Sequence, residues 1–233
     1  MKIRPTILLL IAMILAATSS YSQTPVLSAN QIYGLNPELY NGKIYSYAPS
    51  ITTKGSQFLS GPIFEKGSVV INGKTFNNLL LNYDVFNQQV VLKFMTRMDN
   101  MMKIILSDVW LQSFNLGDRH FEILSFPKIK PRIYQVIGKG RYQVFYTWRK
   151  DYNLQNTYGA SNYAFSKPVR ESYLKFKDKL THYKNNKQFV DLFSSENRPL
   201  INKFLRKNKI KVKKSGSKEI LQLINYCNTL PTK

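Results

Sequence analysis

From Ser68 to Phe94 the chain reads "SVVINGKTFNNLLLNYDVFNQQVVLKF", and this period of two constrains the fold more than any other feature. Successive side chains on a strand point to opposite faces. Leu79, Leu81, Tyr83 and Val85 therefore share one face, with Leu80, Asn82 and Asp84 on the other. Asn72-Gly73 between two such runs predicts a type I′ hairpin turn, because both residues tolerate the positive φ that this turn requires. The pattern continues to about Trp148, broken at 98–100, at "NLGDR" and at "GKG". Connections this short force antiparallel neighbours. Residues 149–170 read as a loop with room for one short strand, and "SYLKF" and "LTHY" as a last hairpin. The period then changes to 3.6, which predicts three short helices over 186–193, 197–207 and 218–228, the second capped by Ser195 and the third by Ser217. Between the last two, "KIKVKK" reads as an extended link.

The expected class is α+β, mainly β: an antiparallel meander, as a curved sheet, a sandwich or a partly open barrel, closed by about three C-terminal helices. The expected organisation is a signal peptide at 1–22, an antiparallel β domain at 23–185 and a helical appendage at 186–233 packed on it. Lys2 and Arg4 precede the uncharged run Ile7–Ala17, followed by small polar residues, which is the layout of a cleaved secretory leader. That run is too short to span a bilayer, and no later stretch approaches the roughly 18 apolar residues a span needs. The expectation is an exported protein, periplasmic, extracellular or associated with the cell surface, with no transmembrane span after cleavage.

Charge narrows the partners. The chain carries 34 Lys and Arg against 13 Asp and Glu, a net charge of +21. Residues 167–233 alone hold 17 basic and 5 acidic residues. A basic surface attracts anions within about 8–10 Å at physiological salt. In the cell envelope these are lipid headgroups, acidic glycans or an acidic protein, and nucleic acid is the less natural partner there. The candidate cations are Lys203, Arg206, Lys207, Lys209, Lys211, Lys213 and Lys214. Set against this is the bland alternative, a solvated face on an ordinarily basic protein.

Other features invite chemistry and supply little of it. Asp84 ends a strand, and a bond to a backbone N–H explains it as well as acid catalysis does. Asp118, His120 and Glu122 share a strand face, yet Asp118 and Glu122 would lie about 13 Å apart, too far to bind one ion. No G-x-S-x-G is present, and "GKG" lacks the strand–loop–helix context of a phosphate loop. The single cysteine, Cys227, falls on the apolar face of a helix with Ile220, Leu223 and Ile224, which predicts an inert buried thiol. Nothing here calls for a cofactor or a metal. A cluster of rings, including Trp148, Tyr152, Tyr158 and Tyr163, interleaves with amides over 142–165 and suits glycan or peptide recognition. The competing reading puts half of those rings in the core.

Gly67–Phe76 ("GSVVINGKTF"), Leu81–Asp84 ("LNYD") and the Lys-rich tail ending in "LINYCNTL" together resemble a family of small exported β-rich proteins of Bacteroidota. The resemblance covers most of the chain after the leader. It implies an envelope or secreted location and no catalytic role. The preferred expectation is a non-enzymatic binding or accessory protein of the envelope. The alternatives are a hydrolase of envelope polymers using Asp84, Asp118 or Glu122, and a glycan or peptide binder through residues 149–165.

Overall fold

The computed structural model describes residues 36–96, 99–126, 129–157 and 160–231. The chain divides into two compact units, Met1–Pro37 and Glu38–Lys233, and only Asn36 and Pro37 of the first are described. The leader expected at 1–22 lies outside the described residues, as does Tyr158.

In the second unit, alternation becomes strand wherever it was clearest. A short helix α1 (Pro37–Tyr40) and a two-residue strand β1 (Lys43–Ile44) lead into β2 (Glu65–Ile71), β3 (Lys74–Asp84), β4 (Gln89–Met95) and β5 (Met101–Ile105). Then follow β6 (Leu111–Leu116), β7 (Arg119–Phe126), β8 (Ile129–Ile137), β9 (Tyr142–Arg149), β10 (Tyr152–Thr157), β11 (Ala160–Phe165), β12 (Val169–Phe176) and β13 (Lys179–Tyr183). The helices α2 (Asn186–Asp191), α3 (Asn197–Lys207) and α4 (Ser217–Thr229) close the chain. Among the described residues eleven strands form one antiparallel sheet in the order β1-β5-β4-β3-β2-β6-β7-β8-β9-β12-β13, and β10 pairs with β11 as a separate ribbon. The sheet is open, with β1 and β13 at its edges. Asn72 (φ 49°) and Gly73 (φ 77°) make the β2–β3 turn, as the type I′ reading requires.

The sheet curls. β3 and β9 stand five places apart in it, about 24 Å if flat. Yet Gln88, in the turn after β3, donates through Nε2 to the Trp148 carbonyl on β9 at 2.9 Å. The curl gives the inner face two apolar clusters. One gathers Leu81, Tyr83, Leu92, Ile104, Phe114 and Phe121 between the strands of the first half. In it Phe114 and Phe121 stack at 4.7 Å, with Tyr83 edge-on to both. The other lies between β8, β9, β12, β13 and the three C-terminal helices, around Val144, Tyr146, Leu205, Ile220 and Ile224. Trp148 packs against both clusters.

A polar chain, part-buried and open to solvent at Gln88, ties the clusters together. The Tyr83 hydroxyl donates to Gln88 Oε1 (2.7 Å), and Gln88 reaches Trp148 as above. The Trp148 indole N–H donates to Gln135 Oε1 (2.9 Å), and Gln135 Nε2 donates to Ser217 Oγ at the start of α4 (3.0 Å). Ser217 thus spends its hydroxyl on the sheet and does not cap α4, whose cap is Gly216. Ser195 does not cap α3 either: the helix winds on from a turn at Ser194, with Glu196 already in the right-handed region. Gln135 is 2% exposed, and Gln135→Leu removes the acceptor of the half-buried Trp148 indole N–H. The expected loss is about 1–3 kcal/mol in urea unfolding, and an unchanged midpoint would show that the chain is not part of what holds the clusters together.

Candidate functional site

The C-terminal segment presents its charge as a consequence of how it buries its apolar residues. On α3, Ile201 and Leu205 are buried, Phe204 stacks on Tyr226 of α4 at 4.3 Å, and Lys203, Arg206 and Lys207 point to solvent. After α3 the chain makes a Schellman turn: Lys209 N–H donates to the Arg206 carbonyl and Ile210 N–H to the Leu205 carbonyl. The "KIKVKK" stretch is therefore not an extended link. It turns at both ends, because carbonyls left open at the helix terminus must find donors. Its alternation still sorts the side chains. Ile210 and Val212 are buried, and Lys209, Lys211, Lys213 and Lys214 are exposed.

The presentation is held in place from beneath. Asn186 donates to the Ile210 carbonyl and accepts from Val212 N–H. Arg170, lying over the Tyr146 ring at 4.4 Å, donates to the carbonyls of Val212 and Ser215. None of the seven cations named from the sequence is in an ion pair among the described residues. A shallow groove of about 660 Å³ runs along α3, and Asn202, Lys203, Arg206 and Lys207 line it. Lys209 has φ 54°, a conformation that favours glycine. Lys209→Gly is expected to raise stability by about 0.5–1 kcal/mol in urea unfolding while removing one surface charge. A loss of stability would mean that the lysine stem is needed for packing.

The aromatic stretch is split between core and surface. Tyr142, Phe145, Tyr146 and Phe165 are buried. Trp148 is half-buried and serves the polar chain described above. Tyr152–Thr157 and Ala160–Phe165 form the paired strands β10 and β11, where a loop with room for one short strand was expected. One face of the hairpin carries Tyr152 and Leu154 opposite Phe165 and Tyr163. Tyr152 stacks on Tyr163 at 4.9 Å and packs on Phe165 and Phe86 at its base. Toward the tip Leu154 and Tyr163 are about half exposed, at 53% and 47%.

The carboxylates stand apart. Asp84 is fully buried, and four donors surround it: the Tyr45 hydroxyl, the N–H groups of Phe86 and Asn87, and the Asn87 amide. Burial, and less so this neighbouring carboxylate, push the Tyr45 hydroxyl well above its ordinary value. Asp118 lies in the β6–β7 turn, exposed. Glu122 lies on the outer face of β7 beside His120 (3.1 Å), whose hydrogen bond holds the Glu122 carboxyl below the usual range. The other ring nitrogen of His120 faces Asn115 Oδ1 at 2.8 Å. No group of three metal-ligating side chains occurs among the described residues. Burial pushes the Cys227 thiol up to about 12, far from a nucleophile's range.

A cleft of about 750 Å³ lies between the β3–β4 turn, the β5–β6 link and β7 and β8. Val90, Leu106, Leu111, Ile123 and Ile133 form its aliphatic walls, and amides such as Asn87 and Gln89 its rim. Among the described residues that line it there is no histidine and no aromatic ring, and Asp108 is the one acid. No helix among the described residues is long and apolar enough to cross a membrane.

No protein-family model matches the chain, and no curated protein or solved structure matches it.

Proposed function

We propose that this is an exported, non-enzymatic binding or accessory protein of the cell envelope whose C-terminal helical segment docks on an anionic component, whether lipid headgroups, an acidic glycan or an acidic protein. One observation carries the reading. Seven cations stand exposed, in no ion pair among the described residues, on a segment whose intervening apolar residues are buried and whose backbone is pinned by Asn186 and Arg170. Cations gathered this closely attract an outside anion together. The dispersal of Asp84, Asp118 and Glu122 supports the non-enzymatic part, since hydrolysis by paired carboxylates needs two of them across one bond. Export rests on the leader at 1–22 and on the resemblance carried by Gly67–Phe76.

Co-sedimentation with phosphatidylglycerol-containing vesicles, and retention on an immobilised acidic polysaccharide, test it over rising salt. Binding that weakens as salt rises is expected with at least one of them. Absence of binding to both at low salt would overturn the electrostatic reading.

A second reading has its own observation, the stacked Tyr152–Tyr163 pair with Leu154 half exposed opposite Tyr163 on the β10–β11 ribbon. It suits a peptide or glycan. Tyr163→Ala should then abolish capture of such a ligand from a peptide or glycan array without altering binding to anionic vesicles.

A further inference from the structure

The outer face of β2–β5 carries a second basic surface, built differently from the tail. Register places Lys66 opposite Leu80, Leu80 opposite Lys93, and Lys93 opposite Lys103, in one row across four neighbouring strands. Strands lie about 4.8 Å apart, so three ammonium groups fall within a span of about 15 Å. None is in an ion pair among the described residues. Like charges directly opposite one another destabilise a sheet, and Lys93 and Lys103 are such a pair. The Phe64 ring lies 5.8 Å from each of their Nζ atoms. Two acids lie on these strands: Glu65, next to Lys66 in the chain, pairs with Arg119 at 2.9 Å, and Asp84 is fully buried.

Apolar side chains border this row. Asn82 donates to the carbonyls of Gly61 and Ile63, which fixes the segment carrying Phe64 on the sheet. Ile63 is left 78% exposed. Met95 and Met101, paired across β4 and β5, are 52% and 51% exposed, and Leu80 is 37% exposed. A row of cations edged by flexible aliphatic groups matches a lipid–water interface, which rewards both parts. An acidic glycan would reward the lysines and leave Ile63, Met95 and Met101 in water.

We propose that this face docks on an anionic lipid bilayer, with Lys66, Lys93 and Lys103 at the headgroups and Ile63, Met95 and Met101 in the headgroup–acyl boundary. It is a second contact, independent of the C-terminal cations. Ile63→Cys labelled with an environment-sensitive dye tests it, because Cys227 is fully buried and does not compete for the label. Vesicles of phosphatidylglycerol in phosphatidylcholine should shift the dye emission to the blue, and phosphatidylcholine alone should not. The shift should persist when the seven tail cations are replaced by glutamine. Adding Lys93→Gln and Lys103→Gln should weaken binding about fivefold for each lysine. Three results would overturn the proposal: no shift with the anionic vesicles, a shift lost with the tail cations but indifferent to Lys93 and Lys103, or an equal shift with soluble polyglutamate, which would mark an acidic protein as the partner. Vesicle affinity and dye response both unchanged on replacing the tail cations would count against the proposed role of the tail and leave this face standing.

Discussion

Asp84→Ala is expected to destabilise the protein by about 3–5 kcal/mol, enough to unfold much of the population at 37 °C. The carboxylate is fully buried and accepts from four donors, at 2.7 Å from the Tyr45 hydroxyl, 2.8 Å from the Asn87 amide, and 2.9 and 3.1 Å from the N–H groups of Asn87 and Phe86. The last two bonds shape the β3–β4 turn, and that turn aims Gln88 at Trp148. The first holds Tyr45, which accepts from Gln57 Nε2 at 2.8 Å. Lys150 fastens the same segment through the carbonyls of Ser56 and Phe58. Alanine leaves these donors without an acceptor. Asp84→Asn keeps the shape but loses the charge and turns an N–H₂ group toward donors, at an expected cost of about 1.5–3 kcal/mol. Urea unfolding and amide exchange at Phe86 and Asn87 measure both effects. A fully stable Asp84→Asn protein would show that the carboxylate is kept for something other than the fold.

Replacing the seven tail cations by glutamine is expected to weaken binding to an anionic surface by at least about 100-fold at physiological salt. Each basic residue near an acidic membrane contributes about 1 kcal/mol, and three of the seven engaged at once account for that factor. Stability should hardly change. The side chains are exposed and in no ion pair among the described residues, and the removed repulsion offsets the few tenths of a kcal/mol that Arg206 and Lys207 contribute at the C-terminus of α3. Unchanged unfolding with lost binding separates recognition from folding. Equal losses of both would make the cations structural.

Local pattern carried much of this fold. The alternation at Leu79–Val85 predicted a strand, and β3 runs through it to Asp84; which face is covered was not legible, since Tyr83 on one face and Asn82 and Asp84 on the other are all buried. The Asn72-Gly73 turn and the bounds of α3 were legible for the same reason, since each depends on neighbours in sequence. The β10–β11 ribbon was not. Its strands are rich in Asn, Gln, Ser and Tyr, so no apolar alternation marks them, and the pairing shows only when Tyr152 meets Phe165. Ser195 and Ser217 looked like caps by position, but tertiary partners decide how a hydroxyl is used, and Gln135 takes that of Ser217. Pairing of β2 with β6, across the whole β3–β5 meander, has no local signature. The basic tail was visible because its charges are close in sequence. The row of Lys66, Lys93 and Lys103 was invisible because register alone assembles it, and each lysine by itself reads as an ordinary solvent-facing residue.

The most direct test of the proposed role of the tail is lysine footprinting by acetylation and mass spectrometry, with and without phosphatidylglycerol-containing vesicles. Lys203, Lys207, Lys209, Lys211, Lys213 and Lys214 should be protected strongly, and Lys177 and Lys179 at the β12–β13 turn weakly or not at all. Equal reactivity of both groups in the presence of vesicles that bind the protein would contradict it.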